Sequence, residues 1–191
     1  MLLQMSDALQ FEIKHRLDGA LARTGTITTP HGTIETPAFI PVATQATLKA
    51  LTPEQLVATG AQAALANAYH LFLRPGHEII DQAGGLHKFM HWDKPTFSDS
   101  GGFQVMSLGV GFKKVIDMTG DGEANVTRKK DKLAWIDDDG VTFKSHLSGD
   151  THRFTPELSM QIQHGIGADI TFAFDELTTL QVIQKLLILR I

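Results

Sequence analysis

Short apolar runs alternate with helix-patterned segments along this chain, and that alternation leaves few architectures open. "AFIPVA" (Ala38–Ala43), "AQAALANAYH", "PTFSDSGG" and "ADITFAFDE" read as buried strands. Between them, "LTPEQLVATG", "GHEIIDQAGGLHKFM" and "FTPELSMQIQHGIG" carry helical spacing. Two of these helices begin alike: Thr52 caps with Pro53 in the first turn, and Thr155 caps with Pro156 and Glu157. Apolar strands separated by helices argue for a parallel sheet covered by crossover helices, an α/β fold. Chemistry in such sheets, above all in α/β barrels, gathers at the carboxyl ends of the strands. Asn67, His70, Asp99, His146, Asp175 and Glu176 all fall there.

Two segments depart from the rhythm. Residues 11–43 are rich in Thr, Ile and Gly, with turn signals at Asp18-Gly19 and Pro30-His31-Gly32, and read as short strands joined by hairpins. Residues 110–139 are polar and glycine-punctuated, and read as an insertion over the functional end of the sheet; "GVTFKSHL" follows as an alternating strand entered through Asp139-Gly140. Arg128, Lys129, Lys130 and Lys132 in the insertion either touch phosphate or are simply solvated. The net charge of -4 gives no global attraction to nucleic acid, so such binding needs a local patch or a partner. With no cysteine, disulfides and thiolate metal sites are excluded, and a cytoplasmic setting is expected. Neither a basic-then-apolar leader nor a run of roughly 18 apolar residues is present, so no membrane association is expected.

The densest chemistry lies in "FSDSGGFQVMSL" (97–108). A carboxylate at a strand end, Asp99, precedes two glycines, Gly101 and Gly102, beside which a substrate could approach closely. Phe103 could stack on a flat ring and Gln104 could pair with a heterocycle's edge, which suits a nucleobase. The alternative is a capped glycine turn with a core phenylalanine. Asp175 and Glu176 form a second acidic cluster. Either they face solvent, or one carboxylate accepts the two parallel N–H groups of a guanine edge. His70 is either a helper of a catalytic group or a satisfied core histidine. His87 and His91 have i, i+4 spacing without a carboxylate to complete a metalloprotease-like pattern, and are expected at the surface.

"SDSGGFQVMSL", with "LANAYHLFLRPG" before it and "GVTFKSHLSGD…FTPELSMQIQHGIGADITFAFDE" after it, closely resembles the queuine tRNA-ribosyltransferases, or tRNA-guanine transglycosylases. The resemblance runs from about Phe11 to Glu176. It implies a TIM-type (β/α)8 barrel, here reduced to roughly its first half behind N-terminal β-hairpins, with residues 1–176 as that part. It implies exchange of a wobble-position guanine in tRNA for a 7-deazaguanine through a covalent ribosyl intermediate. By the same resemblance Asp99 is the general acid/base, and Ser100, Gly101 and Gly102 shape the floor of the pocket. Phe103 stacks on the base, Asp175 reads its donor edge, and Asn67 and His70 support Asp99 and the ribose. Breaking an N-glycosidic bond needs such a set: proton transfer to the base, a nucleophile at the anomeric carbon, and a stack for the flipped base.

The family's covalent nucleophile, a second aspartate, and its zinc site of three cysteines and a histidine belong to later parts of the family's barrel. Neither is expected here, so no cofactor is expected in this chain and activity by the chain alone is in question. Leu177 stands where the family has cysteine, and after Thr179 "LQVIQKLLILRI" no longer follows it. A frameshift or gene break near Leu177 is the simplest account of residues 177–191. An opened parallel barrel exposes strand edges, so the isolated chain is expected to be marginal, to aggregate, or to need a partner. Expected partners are tRNA, guanine or a 7-deazaguanine, and either a second copy or a complementing C-terminal half. A non-catalytic tRNA-binding or partner subunit is a second reading, and an archaeosine-type transglycosylase a third.

Overall fold

A computed structural model describes residues 9–105 and 134–175. Glu176, the tail 177–191 and the basic residues 128–132 lie outside the described residues. The chain opens with a three-stranded antiparallel meander of β1 (Gln10–Arg16), β2 (Arg23–Thr29) and β3 (Gly32–Thr36), so the hairpins expected from the turn signals are present. The central layer is parallel: β4 (Ala64–Ala66), β5 (Thr96–Ser98) and β9 (Ile170–Thr171), in that order. Between β4 and β5 run α2 (Ala68–Leu73), α3 (His77–Gln82) and α4 (Leu86–Met90). Before β9 the chain forms a second antiparallel sheet of β6 (Ala134–Asp137), β7 (Gly140–Lys144) and β8 (Thr151–Phe154), followed by α5 (Pro156–Ile166). The described residues thus form an α/β protein with an open parallel sheet.

Both predicted caps are present. Thr52 accepts the N–H of Gln55 at the start of α1 (Pro53–Ala58), and the Gln55 side chain accepts the N–H of Thr52 in return, a reciprocal capping box. Thr155 accepts the N–H of Leu158, and α5 ends at Gly167. The core gathers between the parallel sheet, its helices and the second antiparallel sheet, around Tyr69, Leu71, Trp92, Phe143, Phe154 and Ile162. Each is nearly sealed from solvent, and Phe143 and Phe154 meet edge to face at 5.2 Å.

Three strand expectations need correction. Ala38–Ala43 is not a buried strand: Phe39 is exposed, and only a single parallel bridge, Val42 to Leu65, joins the segment to β4. Pro37 and Pro41 explain this, because a proline lacks the N–H a ladder needs; the bridge forms only where Ala43 donates to Leu65 and Leu65 to Pro41. "ADITFAFDE" pairs only over Ile170–Thr171, and Phe172 is half-exposed. As an edge strand with one described neighbour, it lacks the second ladder that would extend it. Finally, the last residues of the segment read as a polar insertion form β6, whose Trp135 and Ile136 pair with Thr142 and Val141.

Candidate functional site at the carboxyl ends of the parallel strands

Asn67 follows β4 directly and Asp99 follows β5 directly, so the parallel pairing of those strands brings the two side chains together. Three N–H groups converge on the Asp99 carboxylate. Asn67 Nδ2 donates to Oδ2 at 2.6 Å, Gln104 Nε2 donates to the same oxygen at 2.9 Å, and the Ala68 backbone N–H donates to Oδ1 at 2.8 Å. Charge-assisted bonds of this kind fix a carboxylate's orientation more firmly than neutral ones. Gln104, read as a partner for a heterocycle's edge, here spends its amide nitrogen on Asp99.

Ser100 turns the other way. Its hydroxyl donates to Asp175 Oδ1 at 2.6 Å and accepts the N–H of Gly102, while its carbonyl accepts Ser159 Oγ of α5 at 2.8 Å. One dipeptide, Asp99-Ser100, therefore ties the ends of β4 and β5 to Asp175 beyond β9. Gly101 has φ +80, and a Cβ there would lie 3.1 Å from the Phe154 ring and 3.3 Å from Tyr69. A Cβ on Gly102 would lie 2.5 Å from the Asp175 carbonyl oxygen. The space beside both glycines is thus filled by the protein's own Tyr69, Phe154 and Asp175, not left open for a substrate. Phe103, by contrast, is half-exposed and in residues 102–105, which are helical. Its ring is available to a flat ligand.

His70 sits on α2 with its ring edge-on to Tyr69 at 5.1 Å and to His146 at 5.9 Å. Burial, with His146 adding to it, holds its pKa below the usual histidine value, and the Asp99 charge opposes this only in part. Tyr69, the only tyrosine of the sequence, was not picked out by the motifs. Its hydroxyl pairs with His146 Nδ1 at 2.8 Å, and burial pushes its pKa up to about 12. Adjacency to His70 was its only sequence signal.

Beneath the site lies a polar spine that the sequence reading also missed. Gln163 of α5 is fully buried; its Oε1 accepts Ser98 Oγ at 2.8 Å and the Phe172 N–H at 3.2 Å, and its Nε2 donates to the Phe172 carbonyl at 2.8 Å. Ser159, also fully buried, lies one turn earlier on the same face. Polar residues at i and i+4 within an otherwise apolar helix face were the available signal.

His87 requires correction. It is buried, not at the surface, and meets a carboxylate that i, i+4 spacing could not reveal: Asp169, 82 residues later, with Nε2 to Oδ2 at 3.0 Å. His91 is exposed as expected.

Fold and site together define an α/β protein with a carboxylate-centred polar site at the carboxyl edge of a parallel sheet. The model of the queuine tRNA-ribosyltransferase family matches residues 18–186. A queuine tRNA-ribosyltransferase of Pelotomaculum thermopropionicum is 47% identical over 169 residues, covering 88% of this chain and 40% of the relative. One from Moorella thermoacetica is 49% identical with 88% and 39% covered, and one from a Roseiflexus species is 50% identical with 88% and 42% covered. The chain belongs to the queuine tRNA-ribosyltransferase family, and it spans about two-fifths of the length of the curated relatives it matches. Among the described residues no helix is long and apolar enough to cross a membrane. With no cysteine in the sequence, the three-cysteine, one-histidine zinc site that the resemblance implies has no complete ligand set here.

Proposed function

We propose that this chain carries the base-recognition and proton-transfer part of a site that exchanges guanine in tRNA for a 7-deazaguanine. The observation that carries the reading is the Asp99 carboxylate held by three N–H donors within 2.6–2.9 Å, one residue from the Ser100–Asp175 bond. In this reading a base is flipped out of the tRNA and stacks on Phe103, while Asp175 accepts the N1–H and 2-amino donors of its edge. Asp99 gives a proton to the departing guanine as the glycosidic bond breaks and takes one from the incoming base. Its donors make it a fixed group, so no reorientation is needed during transfer. Asn67 positions Asp99, and His70 lies toward the ribose.

The covalent step calls for a carboxylate nucleophile at the anomeric carbon. The residue that takes this role by resemblance lies outside the 191 residues. In this proposal residues 1–176 are the N-terminal part of a (β/α)8 barrel, and β9 is continued by further parallel strands. Cytoplasmic location fits a tRNA substrate.

Incorporation of labelled guanine into unmodified tRNA tests the reading. The chain alone, the chain joined to the remaining part of a relative, and the joined protein carrying Asp99→Ala are compared. Exchange by the joined protein that disappears with Asp99→Ala is the expected result. Exchange that survives Asp99→Ala overturns the role given to Asp99. Exchange by the chain alone overturns the placement of the nucleophile.

A further inference from the structure

At the opposite, amino-terminal ends of the same strands lies a second polar cluster that the base site does not use. Asp169 immediately precedes β9, and its side chain is only 1% exposed. Its Oδ1 lies 2.6 Å from Nδ1 of His31, in the β2–β3 turn. Its Oδ2 lies 3.0 Å from Nε2 of His87 on α4 and accepts the N–H of Thr96, the first residue of β5, at 2.8 Å. The three candidate ligand atoms all lie within 4.8 Å of one another.

Three elements converge on this one buried carboxylate: the β2–β3 turn through His31, α4 through His87 and the start of β5 through Thr96. The Thr96 hydroxyl lies 3.2 Å from His87 Nε2 and 3.3 Å from Asp169 Oδ2, and the His31 ring stacks on His87 at 3.4 Å. Two imidazole nitrogens and a carboxylate oxygen are thus gathered at one point of the fold by elements far apart in sequence.

We propose that His31, His87 and Asp169 form a binding site for a divalent first-row metal ion, with zinc the best match. Two imidazoles and a carboxylate are a donor set such ions accept. The Thr96 N–H on Asp169 supplies an outer-layer bond of the kind that orients metal ligands. His31, with its side chain 44% exposed, leaves the cluster open to solvent on one side, so an ion has a way in. A bound ion would clasp the N-terminal hairpins to α4 and to the start of β9. This site is separate from the cysteine-based zinc site of the family, and the inference does not depend on the proposed function.

The test uses the full chain, stripped of metal with a chelator and dialysed against Zn2+ or Co2+. Bound metal is counted directly, so the reading does not require a sharp thermal transition. About one equivalent should bind, Co2+ should show visible absorption of a site containing nitrogen ligands, and a hundredfold excess of Zn2+ over Kd should raise Tm by roughly 5–11 °C. His31→Ala, chosen because the residue is exposed, and Asp169→Asn should each weaken binding at least about tenfold. Binding that neither variant weakens, or no stoichiometric binding at all, overturns the proposal. A nitrogen NMR spectrum showing a proton on His87 Nε2 in the zinc-loaded sample overturns it as well.

Discussion

Replacing Gln163 with leucine removes the amide that joins β5 and β9 while leaving a side chain of similar size. Two groups lose their partner, Ser98 Oγ and the Phe172 carbonyl, while the Phe172 N–H keeps the Ser98 carbonyl at 3.3 Å. Ser98 is fully buried, so its hydroxyl meets no water, and an orphan of this kind costs about 1–3 kcal/mol. Phe172 is half-exposed, and water can reach part of its backbone, so its carbonyl adds about 1 kcal/mol. The expected loss is about 2–4 kcal/mol, or a Tm fall of roughly 4–16 °C for a chain of this size. Urea unfolding followed by the fluorescence of Trp92, which is buried in the core, measures it. The discriminating variant is the double substitution Ser98→Ala with Gln163→Leu. If unpaired polarity is the cause, removing both partners should restore about 1 kcal/mol relative to the sum of the single changes. A Gln163→Leu cost below about 0.5 kcal/mol, or a cycle additive within about 0.3 kcal/mol, would refute the reasoning, because the amide would then be packing filler.

Gly102→Ala places a methyl 2.5 Å from the Asp175 carbonyl oxygen. It should cost about 1–3 kcal/mol in urea unfolding and, in a protein competent for exchange, lower guanine exchange well beyond the loss of folded protein, because Asp175 must move. By NMR titration His70 should ionise below the usual histidine value, with His146→Ala raising its midpoint and Asp99→Asn lowering it further. A histidine depressed in the folded state leaves stability intact above pH of about 6.5 and withdraws it as pH falls through the folded pKa, so acid should destabilise the chain less in the His70→Asn variant. Asp137, held down to about 2 by its paired bonds from Arg153, should return toward the ordinary carboxylate range with Arg153→Ala. Both groups are on the surface, so the titration should shift with little change in unfolding.

What could be read from the residues alone was whatever is encoded within a few positions along the chain. Thr52-Pro53 and Thr155-Pro156 announce helix starts through bonds that span three residues, and both caps formed. The turn signals at Asp18-Gly19 and Asp139-Gly140 are equally local, and hairpins stand at both. The placement of Asn67 and Asp99 on one edge was legible because parallel strands put their carboxyl ends together whatever the connection between them. Pairings made by the fold as a whole left no such trace. His87 and Asp169 meet across 82 residues because β5 and β9 are neighbours and α4 packs near their start, and nothing in the spacing of His87 and His91 points there. The two glycines of the central motif show the same limit from the other side. Their presence signalled a close approach, and a close approach exists, but the sequence could not say that the approaching group is Asp175 of the same chain. That identity changes the inference drawn from the motif. Gly102 lets the carboxylate beyond β9 come within reach of Ser100, so the glycines assemble the site and the surface left for a flat ligand is the exposed face of Phe103.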